Sequence, residues 1–177
     1  MSAMMNSKSR RDADRSIAEA VGPMSMYRNI VENRYGGGER YEAALELLHA
    51  SRALAASISD VLGRFSLTMS QWSVLAMVHL SPQGQMPLGL IARALAVHAT
   101  TVTNAVDRLE ELDFVERLGV RADRRTVLAR LTDNGRDFAD KVMVALAEDG
   151  FGLATVADDD VVALTTILRC YAPLPEK

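Results

Sequence analysis

The stretch "HATTVTNAVDRLEELDFVERLGVRADRRTVLARLT", residues 98–132, changes its periodicity part-way, and that change decides the fold. In its first half Val102, Ala105, Val106, Leu109 and Leu112 recur at helical spacing and make an inner face. Thr100, Asn104, Asp107, Arg108 and Glu111 project from the other side, with Thr101 and Thr103 on its flanks. The second half switches to strand-like runs at 114–120 and 126–132, where Val127, Ala129 and Leu131 alternate with Thr126, Leu128 and Arg130. The segment between the runs, "RADRR" at 121–125, is expected to be the tip of a hairpin.

Charge points the same way. Five arginines fall within residues 117–131, although the 177-residue chain has a formal net charge of −3. Between Arg117 and Arg136 six arginines stand against two aspartates, a local balance of +4. Arginines at a hairpin tip are not core residues, and phosphate or a narrow, strongly negative minor groove is their natural partner. The outer helix face carries matching chemistry: threonine methyls touch thymine, asparagine bridges adenine bidentately and arginine reaches guanine in a major groove. An ordinary solvated helix face is the bland alternative, and the neighbouring segments weigh against it.

Upstream, a helix beginning after Pro87 carries Leu88, Ile91, Ala92 and Leu95 at apolar spacing. A turn of about three residues, Ala96 to His98, joins it to the next helix, the length of a helix-turn-helix with a shared core. Before it, "LTMSQWSVLAMVHLSP" places Trp72, Leu75, Ala76 and His79 on one helix face and ends at Ser81-Pro82. A longer helix starts at Tyr41, with Ala44, Leu48, Ser51, Ala55, Ile58, Leu62 and Phe65 continuing its stripe. Residues 1–40 read as a polar extension, a tail or short helix, that ends in Gly36, Gly37 and Gly38.

Downstream, "TDNGRDFADKVMVALAEDG" reads as a connecting helix with Phe138, Val142 and Ala145 inward. "DDDVVALTTILRCYAPL" then opens on acids suited to a helix N-terminus and spaces Val161, Leu164, Leu168 and Tyr171 along one face. A stripe as long as that of the first helix exceeds what a short partner covers, so a homodimer is expected. Residues 173–177 are a C-terminal tail.

Several classes are excluded. The N-terminal residues lack the apolar run of a secretory signal, and "WSVLAMVHL" is about half the roughly 20 residues that span a bilayer, so a cytoplasmic protein without a membrane partner is expected. The single Cys170 forbids an internal disulfide and is read as packed and inert. His49, His79 and His98 have no second ligand at metal spacing, and neither a metal nor a cofactor is expected. No glycine-rich phosphate loop or activated serine is present, and the "DDD" at 158–160 caps a helix, so an enzyme is not expected.

The run "TTVTNAVDRLEELDFVERLGVRADRRTVLARLTDNGRDF", residues 100–138, resembles the MarR (multiple antibiotic resistance regulator) family. The marks are Thr101-Val102-Thr103 with residues 106–110, the D-x-R of Asp123, Arg124 and Arg125, and Leu131-Thr132 with Gly135. The resemblance covers roughly residues 41–172. It implies a mainly α, winged helix-turn-helix fold with a small β-hairpin wing and long N- and C-terminal dimerisation helices. Residues 41–66 and 136–172 would supply those helices and 68–135 the DNA-binding lobe.

It also implies a ligand-responsive repressor that binds an inverted-repeat, double-stranded operator as a homodimer. Arg125 would enter the minor groove while Asp123 orients the wing. The expected DNA-binding set is His98, Thr100, Thr101, Thr103, Asn104, Arg108, Arg121, Asp123, Arg124 and Arg125. A small aromatic or lipophilic effector would lie near Trp72 and His79, with Arg52 available from the first helix. The competing assignment makes Trp72 core and His79 its half-buried neighbour. Oxidant-sensing relatives carry their cysteine near the start of the first helix, unlike Cys170.

Two positions depart from the family pattern. Asp113 stands where a glycine usually ends the recognition helix, which demands a left-handed residue without glycine or a different turn. His98 replaces the usual serine cap and is the weaker cap. A winged helix that binds another protein instead of DNA is the rival function, and salt dependence separates the two.

Overall fold

The computed structural model describes residues 25–120 and 123–171, without the side chains of 25, 26, 120 and 123–125. The chain divides into two compact units, residues 1–53 and 54–177. In the first, helix α1 (Ser25–Tyr35) turns through two glycines into α2 (Gly38–Gly63), which continues into the second unit. Gly38 belongs at that turn for a steric reason: a Cβ there would lie 2.5 Å from the Arg28 carbonyl oxygen. Its amide donates to Glu32 Oε2 at 2.6 Å, which satisfies one of the open donors at the start of α2. The triple glycine therefore joins two helices.

The second unit contains the end of α2, then α3 (Met69–His79), β1 (Gln85–Pro87), α4 (Leu88–Ala94) and α5 (Ala99–Glu111). Strands β2 (Val115–Val120) and β3 (Asp123–Leu131), α6 (Asp133–Glu148), a 3-10 turn at Gly150–Gly152 and α7 (Asp158–Tyr171) complete it. Sequence dictates the boundaries locally. Thr68 and Gln71 form a reciprocal capping box at α3, and Thr132 accepts from the Gly135 amide at α6. The core is apolar throughout, with Leu62, Leu75, Ile91, Val106, Leu109 and Leu146 among its least accessible side chains.

The three strands form an antiparallel sheet in the order β1-β3-β2. Strand β1 was absent from the sequence reading; its Gln85, Met86 and Pro87 pair with Arg130, Ala129 and Leu128. Three residues give no alternation to read, and Pro87 is tolerated because the strand lies at the sheet edge. The hairpin is also longer than expected. Val120 pairs with Asp123 across an irregularity at Gly119/Val120, so Asp123, Arg124 and Arg125 belong to β3 and only residues 121 and 122 remain between the strands.

Two further expectations change. Leu112, assigned to the inner face, caps α5 and is 42% exposed, because the helix ends before it could turn inward. On α6, Val142 and Leu146 are buried, and Phe138 and Ala145, half-buried, pack against the same core as expected. Cys170, read as packed, is exposed, since no residue of α7 is buried within the chain. No helix among the described residues is long and apolar enough to cross a membrane.

Candidate nucleic-acid interface

Helices α4 and α5 are joined by Leu95–His98, with Ala96 in a left-handed conformation at φ +53°. His98 is the N-cap of α5: its Nδ1 accepts from the Thr100 amide at 3.3 Å and lies 3.0 Å from the Thr100 hydroxyl. The imidazole thus does the work usually given to a serine. Val102, Ala105, Val106 and Leu109 are buried, and this packing turns Thr100, Thr101, Thr103, Asn104 and Arg108 outward, all exposed. Thr103 Oγ1 donates back to the Ala99 carbonyl, whereas Thr101 and Asn104 make no side-chain hydrogen bond to another described residue. Two unengaged polar groups therefore stand ready on the N-terminal half of α5.

The other end of α5 is held by its own turn. Asp113 adopts φ +58°, the left-handed conformation that the missing glycine required of it. The Phe114 amide reaches back to the Leu109 carbonyl at 2.8 Å, and the Asp113 carbonyl accepts from Thr132 Oγ1 at 2.6 Å. The start of α6 thereby closes the end of α5. Phe114 stacks on Phe138 with ring centroids 4.1 Å apart, and Phe138 meets Phe65 edge-on at 6.0 Å.

Not every cation counted in the sequence is available to a polyanion. Arg117 is paired with Asp107 and Glu110, each at 2.6 Å, and Arg130 with Glu116 at 2.6 Å. Arg108 is held by Glu111 one turn along α5. The local balance of +4 therefore overstates the free charge in this region. The signal was present in the sequence as Asp107 and Glu110, one turn apart on the outer face, but their partner arrives from the next strand. Arg121 lies outside the described residues, as do the side chains of Asp123, Arg124 and Arg125; the backbone places the last three on the strand that runs out of the tip.

A helix-turn-helix followed immediately by an antiparallel hairpin is the geometry of a winged helix. The MarR family model matches residues 67–127, a segment that contains the helix-turn-helix, β2 and the start of β3. The HTH-type transcriptional regulator YwoH of Bacillus subtilis is 31% identical over 71% of this chain and 90% of its own length. The chain belongs to the MarR family.

Its fold agrees with solved MarR-family structures. Sco5413, a MarR family transcriptional regulator from Streptomyces coelicolor, superposes with a TM-score of 0.70 and 27% identity, covering 76% of this chain and 94% of that one. A cysteine-to-serine mutant of MarR from E. coli, complexed with operator DNA, gives 0.63 at 22% identity, covering 72% and 92%. At that identity the likeness concerns the fold alone. As a MarR-family chain this protein is a DNA-binding transcriptional regulator with a winged helix, and its relatives are regulators instead of enzymes.

Trp72 and His79, two of the residues expected near an effector, meet different neighbours. Trp72 is buried and lines an open apolar cavity of about 290 Å³, with Ile58, Met69, Met77, Leu146 and Phe151 among its walls. His79 is turned to α6, with Nε2 3.2 Å from Asp140 Oδ1 and a side chain only 12% exposed. Its Nδ1 is buried without a hydrogen-bond partner among the described residues. Arg52 belongs to the first unit.

Proposed function

We propose that this MarR-family regulator binds an inverted-repeat operator as a homodimer and represses until a small lipophilic or aromatic effector changes the spacing of its two α5 helices. The observation that carries the reading is the division of α5: an inner face absorbed by the core and an outer face on which the exposed Thr101 and Asn104 side chains hydrogen-bond to no other described residue. Those groups fit base edges, and the arginines of β3 would supply the minor-groove contact. Dimerisation is supported by exposed apolar side chains on α7, where Tyr171 is 75% exposed and Ile167 65%. A two-fold pair would place two recognition helices on successive major grooves. The cavity beside Trp72 has no charged side chain in its wall, which favours a lipophilic effector over one that needs an ion pair.

Fluorescence anisotropy with duplexes selected by the protein from a random-sequence pool tests the DNA reading. Arg125→Ala is expected to weaken binding by about 1–3 kcal/mol, and Asn104→Ala to lower preference for the selected sequence while leaving scrambled DNA unaffected. Wild-type binding that ignores salt, or an Arg125→Ala variant that binds as tightly as wild type, would overturn it in favour of a protein-binding winged helix.

A further inference from the structure

We propose that Arg117 is a positioning residue: it clamps the hairpin to the outer side of α5 and contacts no DNA itself. The inference rests on the reading that α5 and the hairpin bind a duplex together. Arg117 is the third residue of β2, opposite buried Ala129. Its amide donates to Glu110 Oε1 at 3.0 Å and its Nη1 to Glu110 Oε2 at 2.6 Å. Its Nη2 lies 2.6 Å from Asp107 Oδ1 and donates to the Thr103 carbonyl at 3.2 Å. One side chain thus engages residues 103, 107 and 110, which span two turns of α5.

The arrangement suits arginine alone. A planar guanidinium offers several donors in a fixed fork, whereas a lysine ammonium is a single point charge. The Arg117 side chain is 26% exposed, so its ion pairs are less screened than open surface pairs. The other described pairs in this region do not link helix to hairpin: Arg108 and Glu111 both lie on α5, and Arg130 and Glu116 both lie in the sheet.

Two consequences follow for DNA. Asp107 and Glu110 would repel phosphates if unpaired, and Arg117 offsets about half of that charge where a duplex approaches α5. The same contacts hold β2 at one position against α5, so that the helix and the hairpin can meet adjacent grooves without first being ordered. Ordering two elements at the moment of binding costs affinity, and a preformed geometry avoids that cost.

The test uses the full chain with a duplex that the wild type selects from a random-sequence pool and a scrambled duplex of equal length. Arg117→Ala is expected to lower affinity for the selected duplex about tenfold, the scale of one coupled contact. Affinity for scrambled DNA, and the slope of log affinity against log salt, should not change. A direct phosphate contact would instead reduce that slope by about 0.9 and weaken both duplexes alike, which would overturn the proposal. Arg117→Lys should recover little of the lost preference, because one ammonium cannot engage residues 103, 107 and 110 together; full recovery, in a protein that unfolds like wild type, would also overturn it.

A DNA-free measurement separates the clamp from the DNA reading. In Glu110→Ala the Arg117 amide should exchange its hydrogen faster than in wild type, and unchanged exchange would count against the clamp. If the wild type selects no duplex while this exchange behaves as expected, the DNA reading fails and the helix–hairpin clamp stands without a DNA role.

Discussion

Helices α5 and α7 both carry apolar stripes, but the two stripes meet different surroundings. On α5, Val106 and Leu109 are inaccessible to solvent, enclosed by α3, α4 and β2. On α7, Val161 and Leu164 are half-buried, while Leu168 and Tyr171 stay exposed. Connection length accounts for the contrast. A short turn precedes α5 and a hairpin follows at once, so its partners are delivered by the neighbouring chain. Apolar spacing states that a stripe needs cover; it does not state which surface supplies it. For α5 the cover is internal, and for α7 we propose that it is a second copy.

The hardest test of this contrast is to truncate the stripe that the chain itself covers. Leu109→Ala should cost about 3 kcal/mol in denaturant unfolding, because the deleted methyl groups leave a cavity in a closed core. A cost below about 1 kcal/mol would mean that the α5 face is not the centre of the lobe.

Leu168→Asp probes the other stripe, with an effect on association in place of packing. Sedimentation should show the dimer giving way to monomer at micromolar concentration, a shift of about 2 kcal/mol in association free energy. Wild type that sediments as a stable folded monomer at the same concentration would remove the basis of the comparison.

The smallest effect is expected at the turn that ends α5. Asp113 holds φ +58°, so Asp113→Gly relieves a left-handed residue but adds chain entropy to the unfolded state, for a net gain of about 0.5 kcal/mol. Thermal unfolding would register it as a rise of a few degrees at most. A clear loss of stability would show that the Asp113 side chain supports the turn in a way its backbone conformation does not reveal.

Much of α5 was legible in advance. The assignment of Val102, Ala105, Val106 and Leu109 to the core needed only helical spacing, and the short link at Ala96 needed only the length between two apolar patterns. The left-handed Asp113 was one of two outcomes that the resemblance implied, because family members usually carry a glycine at that turn. Gly135 was legible as part of a motif but not as a mechanism. The structure supplies the reason: a Cβ at that position would lie 1.9 Å from the Phe114 carbonyl oxygen, where α6 starts against the end of α5. Strand β1 and the true start of β3 at Asp123 were missed, because three residues give no period and a hairpin's register is set by both strands together.

The sequence by itself determined which faces turn inward on α5 and α6, where α4 and α5 begin, and that positive charge gathers after α5. These are local properties, encoded in spacing and capping chemistry within a few residues. Tertiary structure alone decided what the charges do. Arg117 is a free cation by composition and a doubly paired clamp in the fold, because Asp107 and Glu110 reach it only after the chain has turned from helix to strand. Trp72 and His79 were grouped by a shared helix face, yet His79 turns to Asp140 and Trp72 to an apolar cavity. Periodicity fixes direction relative to a core, whereas pairing depends on distances between segments that only chain closure sets.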